Sequence, residues 1–222
     1  MREVVFDTET TGISIYDGHR VIEIAMLEVV DNLYTGKNLH LYLNPERDID
    51  HDAYLVHGIS NEFIADKPKF RDVYKEVLDF ISDSKLVAHN SSFDESFLNN
   101  ELYMIDEEEI RHDRFIDSLK MARDIYPGQK NDLDSLCYRL GVDNSKRDKH
   151  SAIVDSLILV EVYNKLRPIN NVADDIKVVD KYIDPRQSTL TRDQVNKHKS
   201  SFGEEWLWSE YWGASCQGVS DS

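Results

Sequence analysis

The sequence predicts an α/β domain, a mixed β-sheet covered by helices. Three strand-like stretches fill the first 43 residues and are separated by turn signals, which makes an antiparallel opening. Beyond them, apolar residues at helical spacing alternate with short apolar runs, the pattern that adds further strands and covering helices to a sheet. With 222 residues and 41% apolar content, the chain suits one domain of ordinary size with a sizeable core, plus an appendage.

Val4-Val5-Phe6 is an apolar run that reads as a buried first strand, and Thr10, Thr11 and Gly12 turn the chain away from it. Val21 to Val30 reads as a long second strand. Asn32 to Lys37, with Gly36, reads as a hairpin loop to a third strand, Asn38 to Leu43, stopped by Asn44-Pro45. A short helical piece is expected over His51 to Val56, ending at His57-Gly58-Ile59. Phe70, Val73, Tyr74, Val77, Leu78 and Ile81 recur at helical spacing and place an amphipathic helix over Phe70 to Ser82. Lys85 to Asn90 reads as a short buried strand, followed by a helix to about Met104 with Phe93, Phe97 and Leu98 facing inward. The acidic run Asp106 to Glu109 reads as a solvated loop. Phe115 to Asp117 is a short strand leading into a helix over Ser118 to Ile125, stopped by Pro127-Gly128. Leu133, Leu136, Cys137 and Leu140 mark another helix, closed by Gly141. His150 to Leu166 is apolar on one face and reads as a last helix that ends before Pro168. After Arg167 the periodicity fades, which divides the chain into a domain of residues 1–167 and a polar tail, 168–222, with a late aromatic cluster.

The net charge is −16. A protein that simply coats nucleic acid is basic, because phosphate neutralisation drives that binding. An enzyme that holds divalent cations in an acidic cleft escapes this rule, since the metal carries the positive charge to the phosphate. Cys137 and Cys216 lie far apart and form no metal spacing, which fits a reducing cytoplasm with Cys137 in the core. No stretch approaches the roughly 18 apolar residues of a membrane span, and no basic-then-apolar leader opens the chain.

Three places could carry chemistry. Asp7 and Glu9 follow the first apolar run at alternate positions, so they leave the strand on one face, roughly 7 Å apart along the chain. Two acids at the end of a buried strand are costly unless a cation or hydrogen-bond donors neutralise them. Asp94 opens a helix just past a strand end, which suits either the helix dipole or a cleft shared with the first pair. Asp155 is a charge among Ile153, Val154, Leu157, Ile158 and Leu159, where a solvated face fits poorly. His150 lies five residues before it, and on one regular helix the two would diverge by about 140°. They meet only if His150 stands on the loop before the helix. Four hard oxygen donors with one neutral histidine meet the needs of a two-metal phosphodiesterase using Mg²⁺ or Mn²⁺, with the histidine taking the proton of the attacking water. No Gly-rich phosphate loop, Cys–His zinc spacing or Gly-x-Ser-x-Gly elbow competes with this set.

Asp7-Thr8-Glu9, Asn90-x-x-Phe93-Asp94 and His150-x-Ala152-x-x-Asp155 resemble, in order, the three motifs of the DEDDh 3′–5′ exonucleases, most closely their proofreading members in bacterial replication. Val21 to Ile24, Val56 to Ile59, Asp117 to Leu119 and Asp143 to Arg147 extend the resemblance over residues 1 to about 166. The resemblance implies an RNase H-like fold with a central five-stranded mixed sheet. It implies that Asp7, Glu9 and Asp155 hold two divalent ions directly, that Asp94 acts mainly through water, and that His150 is the general base. It further implies that Glu9 borders the 3′-terminal sugar, beside Thr10 and Asp155, and that Asp52 and His57 lie near the bound nucleotide. Phe93 either stacks on a terminal base or fills the core before its helix. The implied partners are a DNA 3′ end and a replicative polymerase catalytic subunit. A Gln-rich sliding-clamp peptide is not recognisable in residues 168–180. Phe202, Trp206, Leu207, Trp208, Tyr211 and Trp212 suit either an anchor for that polymerase or a fold back onto the nuclease domain. Two other functions share the same residues, an RNA-trimming or oligonucleotide-degrading DEDDh enzyme and a non-catalytic subunit that keeps the fold.

Overall fold

A five-stranded mixed sheet, its strands side by side in the order Leu33–Tyr42, Val21–Val30, Arg2–Thr10, Lys85–Ala88 and Phe115–Asp117, carries helices on both faces. The computed structural model describes residues 1–167, apart from Lys146 and Asp148; the tail with Cys216 and its aromatic cluster lies outside the described residues. The strands are β1 (Arg2–Thr10), β2 (Val21–Val30), β3 (Leu33–Tyr42), β4 (Lys85–Ala88) and β5 (Phe115–Asp117). The helices are α1 (His51–His57), α2 (Asn61–Ile64), α3 (Phe70–Ile81), α4 (Ser91–Tyr103), α5 (Ser118–Ile125), α6 (Leu133–Leu140) and α7 (Ala152–Leu166). β1–β2 and β2–β3 pair antiparallel, whereas β1–β4 and β4–β5 pair parallel. The expected antiparallel opening and parallel additions are therefore present.

β1 is central and buried on both faces, as its continuous apolar run requires. Strand alternation sends Val5 to one face and Val4 and Phe6 to the other. Val5 packs with Ala25, Leu27, Val29 and Val87 under α5, α6 and α7, where Cys137 is also buried. Val4 and Phe6 pack with Ile24, Met26 and Leu86 under α3 and α4, around Phe97 and Leu98. Asp7 and Glu9 continue the odd-numbered face toward α7, and Thr8 continues the even-numbered face toward α4.

The first hairpin departs from the sequence expectation. Its turn is the two residues Asp31 and Asn32, both at positive φ (50° and 69°), not a loop over 32–37. Asp and Asn tolerate this conformation, which a two-residue turn between twisted strands demands. Gly36 lies instead at the irregularity opposite Glu28, where pairing jumps from Leu27↔Asn38 to Val29↔Tyr34. Thr35 Oγ1 donates there to the Glu28 carbonyl at 3.3 Å, so the extra residues are accommodated within the strand. α2, unforeseen in the sequence, is capped by Ser60, whose side chain accepts from the Phe63 amide at 3.2 Å.

β4 also ends earlier than expected, at Ala88. Asn90 takes the left-handed conformation (φ 70°, ψ 53°) and turns the chain directly into α4. This short strand and sharp turn bring the first turn of α4 beside β1. Phe97, 1% exposed, anchors that helix on the sheet. Phe97→Ala should cost about 3–5 kcal/mol of unfolding free energy in urea titrations, the range for a buried aromatic truncation. A loss well under that range would show that α4 is not held by this contact.

Candidate active site

β1 outruns β4. Parallel pairing covers Glu3 to Val5, so the Asp7–Thr10 end of β1 has β2 on one side and no strand on the other. α4 fills the gap: the Thr8 amide and hydroxyl both donate to Asp94 Oδ1, at 3.0 and 2.7 Å. The amide that a longer β4 would have taken is satisfied by a carboxylate instead. Asp94 is 3% exposed, and burial pushes its carboxyl up to about 7 against the lowering effect of both Thr8 hydrogen bonds.

On the opposite face, α7 brings Asp155 to Asp7 and Glu9. His150 lies on the loop before α7, as the spacing of five requires, and its Nδ1 stands 3.1 Å from Asp155 Oδ2. Three contacts fasten that loop. The His150 amide donates to the Val56 carbonyl at the end of α1 at 3.4 Å, and Ser151 Oγ donates to Glu23 Oε1 at 3.0 Å. Arg147 donates through Nε to Asp155 Oδ1 at 2.5 Å and through Nη2 to Oδ2 at 2.7 Å. One donor atom each from Glu9, His150 and Asp155 then lies within 4.8 Å of the others. His150 Nδ1 lies between Asp155 Oδ2 at 3.1 Å and Arg147 Nη2 at 2.8 Å; in the tautomer that gives Nδ1–H to Asp155, the Nε2 lone pair is left to accept a proton.

Electrostatics fit a cation here. Burial raises Asp7 well above the carboxylate range, and Asp94, Glu9, Asp155 and Glu23 raise it further. Burial pushes Glu9 up to about 9, with Glu23, Asp155 and Asp94 adding to the rise. Asp155 behaves differently: burial alone would raise it, but hydrogen bonds from His150 and Arg147 outweigh this and hold it low. Buried acids that cannot all ionise together, with Glu9 and Asp155 bringing hard oxygens to one place beside His150, match a divalent ion and not a soft one.

The other sequence candidates are less closely grouped. Thr10 is buried, and its hydroxyl donates to the Gly12 carbonyl at 2.6 Å. Gly12 is required by close approach, since a Cβ there would sit 2.3 Å from the His19 ring. His57 is buried, its Nδ1 accepts from the Ile59 amide at 2.9 Å, and burial lowers its pKa. Asp52 is exposed in the first turn of α1, and no hydrogen bond or ion pair joins it to the acid cluster among the described residues. Phe93 is half-buried with its ring 4.8 Å from Phe97, so it packs partly as core.

Sequence reasoning misses Thr8, Glu23 and Arg147. Glu23 is 1% exposed, stands opposite Glu9 across the β1–β2 ladder and bonds His40 Nε2 at 2.7 Å. An acid inside the apolar run Val21 to Val30 is the available signal. For Arg147 the signal is the need of a buried Asp155 for a basic partner. Thr8 leaves none, because its role depends on where β4 stops.

A family model described as Exonuclease (RNase_T) matches residues 4–163. A Rickettsia felis protein named DNA polymerase III subunit epsilon is 47% identical over 199 residues, 88% of this chain and 85% of its own length. The Escherichia coli K12 protein of the same name is 45% identical over 169 residues, 73% of this chain and 70% of its own. Among solved structures, Exonuclease X in complex with 5′-overhanging duplex DNA superposes with a TM-score of 0.59 at 26% identity, covering 73% of this chain and 89% of that one. The nuclease domain of 3′hExo, a DEDDh family member bound to rAMP, shares the fold at 19% identity with a TM-score of 0.64, covering 74% and 90%. From its three acid motifs, its sheet order and these likenesses across most of its length, the chain belongs to the DEDDh 3′–5′ exonucleases, in the group of DNA polymerase III epsilon subunits.

Proposed function

We propose that this exonuclease proofreads for a replicative DNA polymerase in the cytoplasm, removing 3′-terminal deoxynucleotides as 5′-monophosphates. The convergence of Glu9, His150 and Asp155 within 4.8 Å, backed by Asp7 and Asp94, carries the reading. In it, Asp7, Glu9 and Asp155 would hold two divalent ions, Mg²⁺ or Mn²⁺, with Asp94 in support. When bound, the ions supply charge for the scissile phosphate and the leaving oxygen. His150 then accepts the proton of the attacking water at Nε2, while Asp155 keeps the ring in the required tautomer and orientation. The imidazole is half exposed, which leaves it open to incoming substrate. Glu9 and Thr10 border the terminal sugar, His57 and Asp52 the nucleotide, and the free edge of Phe93 meets the last base. Relatives named as polymerase subunits and a neighbour bound to duplex DNA support the choice of substrate and partner. The aromatic cluster from Phe202 to Trp212 is the candidate polymerase anchor, on its sequence alone. Among the described residues no helix is long and apolar enough to cross a membrane.

Asp7→Ala and Asp155→Ala should abolish release of monophosphates from single-stranded DNA in Mg²⁺, and His150→Ala should lower kcat by roughly 10²–10⁴-fold. Normal turnover in either aspartate variant would refute the mechanism. On primers with a 3′ mismatch, hydrolysis should exceed that on matched primers, and DNA oligomers should outpace RNA oligomers of the same sequence. Faster cleavage of RNA would reassign the enzyme to RNA trimming.

The raised acids also set a pH dependence. Without metal, folded Glu9 and Asp94 keep protons that the unfolded chain has released, because their pKa values rise from 4.5 to about 9 and from 3.8 to about 7. The folded state then binds more protons, so stability falls as pH climbs through that window. In EDTA, Tm should decline across it, and Mg²⁺ should restore Tm most at the alkaline end. A flat profile in EDTA, with no response to Mg²⁺, would contradict a cation-demanding cluster.

A further inference from the structure

Arg147 belongs to no catalytic motif, and the loop that carries it is largely exposed, yet its side chain is only 7% exposed. The guanidinium lies against three other groups. Nε and Nη2 form a fork on Asp155 at 2.5 and 2.7 Å. Nη1 reaches Asp134 Oδ2 on α6 at 2.7 Å, and Nη2 also lies 2.8 Å from His150 Nδ1. A two-point fork fixes the plane of a carboxylate as well as its charge, which a point charge cannot do. A tie between α6 and α7 would need only some acid on each helix. Here the acid gripped on α7 is the one that faces Glu9 and His150.

We propose that Arg147 is a positioning residue for hydrolysis: anchored to α6 through Asp134, it fixes the orientation in which Asp155 meets a divalent ion and His150. The proposal rests on the reading of Asp155 as a metal ligand. It assigns Asp134 an indirect role, since that residue is more than half exposed and touches the cluster only through the arginine.

The test is Mn²⁺ binding to the full-length protein by calorimetry, paired with turnover on a single-stranded DNA oligomer and with Tm. Arg147→Ala should weaken Mn²⁺ binding by roughly 10–100-fold, the usual effect of losing a group that orients a ligand. Millimolar guanidinium should return part of its kcat. Arg147→Lys should recover only a fraction of the affinity, because an ammonium grips the carboxylate at one point. Asp134→Asn should weaken Mn²⁺ binding less than Arg147→Ala, at unchanged Tm. Unaltered Mn²⁺ affinity and kcat in Arg147→Ala would overturn the proposal. Should that variant not fold, unaltered affinity in both Arg147→Lys and Asp134→Asn would overturn it equally. Asp155→Ala separates the two readings. If it still binds Mn²⁺ and turns over, the metal-site assignment itself fails; if it does neither while the Arg147 variants match the parent, only the arginine proposal fails.

Discussion

The burial of carboxylates that crowd one another at the end of β1 is the constraint on which the active end of this protein depends. Burial is the largest cause that raises Asp7, Glu9 and Asp94, and their neighbouring acids add to it. Glu23 stands directly across the ladder from Glu9, a placement that is destabilising for like charges. Such a cluster survives in a folded chain only with compensating donors and cations. Its remaining demand for positive charge is what a divalent ion meets, and the same demand reconciles a net charge of −16 with work on a polyanion.

Compensation comes from a different element for three of the acids. Thr8 on β1 serves Asp94, His40 on β3 serves Glu23, and Arg147 on the α6–α7 loop serves Asp155. Asp155 is the one member of the four-acid set that is held low, and it is the one gripped by an arginine. The cluster is therefore graded. Asp155 is held toward its ionised form, while burial holds Glu9 and Asp94 toward their protonated forms. A gradient of this kind suits acids grouped beside a histidine at a functional site.

Much of this arrangement is legible in the amino-acid sequence. The alternation of Asp7 and Glu9 after an apolar run implies one face, and the five-residue gap between His150 and Asp155 implies a loop position for the histidine. Helices α3, α5, α6 and α7 follow from apolar spacing with caps such as Gly141. The hairpin turn is misplaced by sequence alone because Gly36 is a stronger turn signal than Asp31-Asn32, although both of the latter accept positive φ. α2 is too short for periodicity to reveal it. The partner of Thr8 and the fork of Arg147 leave no local trace, since each joins residues from separate elements.

Which groups are candidates for the chemistry is written along the chain, because residue type and spacing within one element are local properties. Two acids on one strand face, an acid in a first helical turn and a histidine on a loop before an acid need no tertiary information. How those groups meet is settled by packing. β4 stops short of the end of β1, so Asp94 can take the free amide of Thr8, and α6 and α7 pack so that Arg147 spans Asp134 and Asp155. Those outcomes depend on where strands end and how helices pack, which no single stretch of chain encodes. Buried together, Asp7 and Glu9 call for a cation or hydrogen-bond donors; only the packing of α4 and α7 brings Asp94, His150 and Asp155 to that demand.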